Sequence, residues 1–156
     1  MPMNTKLDTD TRVCFYEQEF YVLSNFSAFR LFWKGRDFDT SEAAYHWEKF
    51  PHETSVRNRI MTARSAHDAF KIAERYKSVC RSDWSEVRVP IMRELLIAKA
   101  EQHEYVRRKL DQTGNRILVE DSWRDDFWGW GADHQGKNML GVLWMEVRDL
   151  LRGKGL

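Results

Sequence analysis

Cysteine is scarce in this chain. Cys14 and Cys80 are the only two among 156 residues. They stand far apart and form no CxxC spacing, which excludes a disulfide framework and a cysteine-rich zinc module. Such thiols are expected to stay reduced, as in the cytosol. Proline is scarce too, at three, and no Pro/Gly/Ser-rich tract divides the chain. Residues 12–152 are therefore expected to form one continuous domain behind a flexible 1–11 segment. No apolar run approaches the ~20 residues of a membrane span, and the polar 1–11 stretch lacks the apolar core of a secretory signal. The expectation is a cytoplasmic protein with no membrane partner. An excess of one charge is missing as well: 25 basic residues face 24 acidic ones, for a net +1. That excludes a generic nucleic-acid binder working through a strong basic field, though not a nucleic acid met at one small site. GxGxxG, Walker, GxSxG and HExxH patterns are absent. No metal-ligand spacing is visible either, so neither a metal nor a cofactor is expected. His46, His52, His67, His103 and His134 are isolated in sequence, and a lone histidine is more often a packing or surface residue than a ligand.

Tryptophan, by contrast, is plentiful. Trp33, Trp47, Trp84, Trp123, Trp128, Trp130 and Trp144 are spread along the chain. Some must fill the core, because the ring carries a large apolar area; the same flat faces suit stacking on a heterocyclic base. The pattern of elements is α+β and predominantly helical, a single compact domain with a small sheet. Residues 13–16 read as a strand, and 23–27 as a polar turn holding one buried aromatic, Phe26. Residues 29–33 and 36–38 flank Lys34-Gly35 as a hairpin. Thr40 or Ser41 caps a helix to about Phe50. Short helices follow over 56–62 and 66–76. The next helix is capped by Ser82 or Asp83, with Glu86 placed for a capping box, and Pro90 either kinks it or starts a second segment. Helix 104–112 and a strand over 116–120 come after. Leu140, Leu143, Trp144, Val147, Leu150 and Leu151 then recur at helical spacing, which predicts one buried stripe. The sheet is expected to join the N-terminal strands to the 116–120 strand.

Three segments could carry chemistry. On a helix at 100° per residue, Tyr45, His46 and Lys49 lie at about −60°, +40° and −20° from Glu42, one polar face, with Ala43, Trp47 and Phe50 on the adjacent apolar face. An ordinary surface helix presents such a face to water as well. The second segment is Glu120-Asp121-Ser122-Trp123-Arg124-Asp125-Asp126-Phe127-Trp128-Gly129-Trp130-Gly131, which packs four acids and three tryptophans into twelve positions. Its rings could wall a flat base while its acids accept from ribose hydroxyls or base amines; they could equally pack a core loop. The third is Gln135-Gly136-Lys137-Asn138, a helix start with a lysine where a phosphate could sit.

Taken in order, these pieces resemble the NADAR family. The likeness runs through Phe15-Tyr16, Leu23-Ser24-Asn25-Phe26, Thr40-Ser41-Glu42 with Lys49-Phe50, and Asp83-Trp84 with Val87 and Met92. It continues in Leu118-Val119-Glu120, Asp125 with Phe127-Trp128-Gly129, Gly136-Lys137-Asn138, Leu140-Gly141 and Met145-Glu146-Val147-Arg148, so it spans about residues 14–150. The resemblance implies an N-glycosidase. One branch of the family cleaves ribosylamino-pyrimidine phosphates of early riboflavin synthesis; another removes ADP-ribose from guanine bases, so the partner would be a small ribosyl-phosphate or ADP-ribosyl substrate, or ADP-ribosylated guanine in nucleic acid. It implies catalytic roles for Glu42 and Lys49, and substrate-binding roles for Asn25, Trp84, Glu120, Asp125, Trp128 and Asn138. One departure stands out. Many relatives carry His-Tyr-Phe-Gln-Ala-Gln between the glutamate and the Lys-Phe pair, where this chain has Ala43-Ala44-Tyr45-His46-Trp47-Glu48.

Breaking a ribose C1–N bond builds cation character on C1, which a carboxylate can stabilise while activating water. A ribosylamine can also open to an imine, and a lysine amine can exchange into it as a Schiff base. Glu42 suits the first task and Lys49 the second. The reading from another class is a non-enzymatic module binding ADP-ribose or NAD with the same aromatics and acids.

Overall fold

The computed structural model describes residues 8–15 and 18–155. Tyr16 and the first seven residues of the expected flexible segment lie outside them. The fold is α+β and mostly helical, as the sequence predicts. The chain divides into two compact units, residues 25–102 and residues 1–24 with 103–156. The strands form two separate two-stranded sheets, one in each unit, rather than one shared sheet.

Unit 25–102 opens on the hairpin β2 (Leu31–Trp33) and β3 (Arg36–Phe38). Trp33 pairs with Arg36 across the turn. Lys34 and Gly35 both take positive φ, 49° and 78°, the two-residue turn whose twist matches the strands. Helix α1 (Ser41–Trp47) follows, capped by Thr40, whose hydroxyl accepts from the Ala43 N–H at 3.1 Å. It ends three residues before the predicted Phe50. Lys49 and Phe50 close 3-10-type bonds to His46 and Trp47, and Pro51 cannot continue the ladder. All seven α1 residues are buried, because α2 (Thr54–Met61), α3 (Ala66–Arg75), α4 (Trp84–Gln102) and the hairpin pack around it. The polar face of α1 is thus an interior feature and not a solvated one. Buried Glu48 holds its end, accepting from Trp33 Nε1 at 2.7 Å and Lys34 Nζ at 2.8 Å.

Two expectations for this unit change. Phe26 is exposed at 41%, whereas its polar neighbour Asn25 is buried, since the Asn25 side chain has partners inside. The carboxylate of Asp83 goes to Arg81 at 2.6 and 3.1 Å, and the first turn of α4 closes on the Asp83 backbone carbonyl instead of a capping box. Helix α4 passes through Pro90 as one element. Its Lys99 is fully buried and donates to Ser27 Oγ at 2.9 Å; burial pushes this amine down to about 7.

In the other unit β1 (Arg12–Cys14) pairs parallel with β4 (Ile117–Val119), and α5 (Glu104–Gln112) and α6 (Met139–Gly153) complete it. Trp144 is fully buried and its Nε1 donates to Leu23 O at 2.8 Å. Leu150, counted in the buried stripe, is 42% exposed; it lies about 80° from Leu140 around the helix, at the stripe's edge. Gly141 is where α6 meets β4. A Cβ there would fall 2.0 Å from Leu118 O and within 2.7 Å of the Asn138 amide. Gly141→Ala must therefore push helix and strand apart. We expect it to lose about 3 kcal/mol of stability in urea unfolding; a loss under ~0.5 kcal/mol would show that α6 and β4 do not approach closely at Gly141.

Candidate active site

Glu42 sits in the first turn of α1, and the backbone there is pinned from outside the helix. Its N–H donates to Asn25 O at 3.1 Å, while Ser41 Oγ donates to Asn25 Oδ1 at 3.0 Å. The Asn25 Nδ2 in turn reaches Met92 Sδ on α4 at 3.4 Å. Asn25 thus ties the start of α1 to α4. The Glu42 carboxylate is nearly enclosed, and its Oε2 lies 2.7 Å from Nε2 of His46, one helical turn on. His46 is buried between the rings of Tyr45 and Phe70, at 5.3 and 5.8 Å, both edge-on. Sequence spacing set this histidine aside as isolated. The i,i+4 relation to Glu42 was the available signal, and it becomes informative only once the helix is known to be buried.

Lys49 lies just beyond the helix, where the tightened last turn places it, and Arg81 N–H holds its carbonyl at 2.8 Å. Its Nζ stands over two aromatic rings, 5.3 Å from the Tyr45 centroid and 5.7 Å from that of Trp84, which themselves lie 5.1 Å apart. None of the ion pairs among the described residues includes it. Burial pushes the Lys49 amine below its ordinary value, an effect opposed by the charges of Glu42, Cys80 and Glu74 and reinforced by Arg88. The structure therefore brings Glu42, His46, Lys49, Tyr45 and Trp84 together in unit 25–102. A carboxylate and a desolvated amine in one aromatic-walled neighbourhood can stabilise a carbocation, activate water or form a carbon–nitrogen bond.

The remaining expected residues belong to the other unit, where they build a loop. Asp125 Oδ1 accepts from the N–H groups of Phe127 and Trp128 at 2.9 and 2.8 Å. Asn138 takes a left-handed φ of 49°. Its amide accepts from Glu120 N at 2.9 Å and donates to Leu118 O at 2.9 Å. Successive backbone bonds from 136–140 to Trp130, Asp126, Gly129, Phe127 and Trp128 lock the loop onto the start of α6. Gly129 and Gly136 sit so close to carbonyl oxygens that a Cβ would approach them to 2.8 Å. Trp128 is half-buried, edge-on to Phe127 at 4.9 Å, and Glu120 is buried. Trp130 stacks on His134 at 3.9 Å and donates to Asp121 at 2.6 Å. Among the described residues no group of three His, Cys, Asp or Glu side chains gathers to hold a metal ion, and no helix is long and apolar enough to cross a membrane.

Residues 14–152 match the model of the NADAR domain. The chain belongs to the NADAR family. Several named proteins resemble it along most of its length. The N-glycosidase YbiA of Escherichia coli strain K12 is 35% identical over 144 residues, covering 91% of this chain and 89% of that protein. The riboflavin biosynthesis protein VVA0006 of Vibrio vulnificus strain YJ016 is 32% identical over 142 residues; the match covers 90% of this chain but spans only 38% of the Vibrio protein. The solved NMR structure of E. coli YbiA superposes with a TM-score of 0.85 at 32% identity, covering 99% of this chain and 95% of that one.

Proposed function

We propose that this NADAR protein is an N-glycosidase that hydrolyses the ribose C1–N bond of a ribosylaminopyrimidine phosphate of early riboflavin synthesis, as a cytoplasmic enzyme acting on a small soluble substrate. The observation that carries this reading is the pairing of a nearly buried carboxylate, Glu42, with the desolvated amine of Lys49 on the same short stretch of chain. The relatives' names, an N-glycosidase and a riboflavin biosynthesis protein, favour this bond and this substrate class.

The chemistry follows from what each group can do. The ribosylamine opens to an imine at C1, and neutral Lys49 Nζ adds to that carbon. Both amine protons pass to the imine nitrogen, so the pyrimidine leaves as its amine and C1 is now doubly bonded to Nζ. Water adds to this Schiff base, Glu42 takes a proton from it and passes it to Nζ, and collapse of the carbinolamine, whose hydroxyl proton follows to Nζ, releases ribose phosphate and returns the free amine. Glu42 stabilises the positive charge at each stage. Tyr45 and Trp84 exclude water and hold the amine in its low-polarity seat. Asn25 holds the backbone at the start of α1, and Asp125 and Asn138 hold the backbone of their own loop.

Separate incubation of the pure protein with a riboflavin-pathway ribosylaminopyrimidine phosphate and with guanine-linked ADP-ribose, free or in a nucleic acid, tests the substrate class. Mass spectrometry should find free aminopyrimidine in the first reaction and unchanged conjugate in the second. Release of ADP-ribose from guanine alone would move the activity to the other substrate class.

A further inference from the structure

The geometry points to His46 as the residue that positions the reactive carboxylate, by occupying one oxygen of Glu42 and leaving the other to the substrate. This rests on the N-glycosidase reading above. The first observation is the bond itself, 2.7 Å between Nε2 and Oε2, with both residues buried. The second is Nδ1 of the same ring, which is buried and has no hydrogen-bond partner. A proton on Nδ1 would be an enclosed donor with nothing to receive it, whereas a bare ring nitrogen loses less by burial. The proton therefore belongs on Nε2, and the imidazole donates to Oε2. The third observation is the setting of the ring. It stands edge-on between Tyr45 and Phe70, on a helix whose first turn is pinned through Thr40 and Asn25.

The consequence is directional. Glu42 makes no other side-chain hydrogen bond among the described residues, so Oε1 alone is left to face a developing cation or a water. A glutamate held only by its own torsions would share its time among rotamers. The bond to His46 selects one of them before substrate arrives, which is how a neighbouring group raises turnover without touching the reacting atoms. Glutamine also offers an N–H donor at similar reach. The need is thus for a donor at position 46 and not for an imidazole as such.

His46→Gln, His46→Phe and Glu42→Gln, assayed together on the ribosylaminopyrimidine phosphate with kcat, KM and Tm recorded, separate positioning from packing. His46→Phe keeps the ring's shape and removes the donor; kcat should fall on the order of 100-fold with KM within about threefold of wild type. His46→Gln should restore kcat to within about fivefold. If His46→Phe fails to fold, His46→Asn, whose amide is too short to reach Oε2, takes its place with the same expected loss. In wild-type protein, ¹⁵N spectra of the imidazole should show a protonated Nε2 and a bare Nδ1. Full kcat in a folded His46→Phe or His46→Asn variant, beside an inactive Glu42→Gln, would overturn the positioning role and leave the carboxylate's role standing. An active Glu42→Gln would instead overturn the reading of Glu42 itself. A bare Nε2 would overturn the hydrogen bond whatever the kinetics show.

Discussion

Lys49→Arg should abolish turnover, by at least about 10⁴-fold in kcat, although it keeps the positive charge. Arginine holds its proton too tightly to present a neutral amine near pH 7. Borohydride added during turnover of the wild-type protein should reduce the Schiff base and leave a ribose phosphate adduct on Lys49, found by peptide mass. The pH profile gives the same answer independently. Burial lowers the Lys49 amine from its ordinary 10.5, so the neutral fraction grows with pH, and the rate should rise and level off below that value. Were Lys49 only a cation neutralising phosphate, the rate would fall as its proton left. Lys49→Arg would then keep much of its activity and no adduct would form, which leaves Glu42-assisted hydrolysis as the mechanism.

Glu42→Gln should cost on the order of 10³-fold in kcat while leaving Tm within a few degrees of wild type. The change is close to isosteric. Its amide oxygen can still accept from His46 if the side chain is turned to place it there, so the packing of α1 survives. What is lost is the negative charge beside C1 and the base that takes a proton from water. Near wild-type turnover in this variant would mean that another carboxylate does that work.

Much of the scaffold was legible before the structure because local rules govern it. The Lys34-Gly35 turn declares its hairpin through the positive φ both residues must adopt. The 104–112 helix ends where its helical pattern stops. The face of α6 is written in Leu140, Leu143, Trp144, Val147 and Leu151, and Leu150 fails the pattern only because it lies at the rim. Periodicity could show that Glu42, Tyr45, His46 and Lys49 share a side of α1. It could not show that three helices and a hairpin would close over that side, since burial depends on what packs there and not on the segment's own spacing. His46 looks isolated in the sequence for this reason, and the role of Lys99 is illegible there for the same one: a lysine in an apolar stripe looks like an interruption until Ser27 is found opposite it. In the sequence Asn138 belongs to a candidate phosphate-binding helix start, and Gly141 is only a position of family resemblance. Their geometry shows backbone bonds and a close approach to β4, contacts between residues about twenty positions apart that no local pattern encodes.

This protein should break a ribose C1–N bond and not merely bind the molecule that contains it. The most direct measurement is a mass-resolved time course of a ribosylaminopyrimidine phosphate with catalytic amounts of the protein, beside calorimetric titration of ADP-ribose and NAD. Many equivalents of free aminopyrimidine and ribose phosphate per protein molecule are expected, released on the order of 10³-fold more slowly when Glu42→Gln replaces the wild type. Intact substrate after prolonged incubation, with saturable binding of ADP-ribose or NAD, would contradict it and make the Glu42–Lys49 neighbourhood a recognition site.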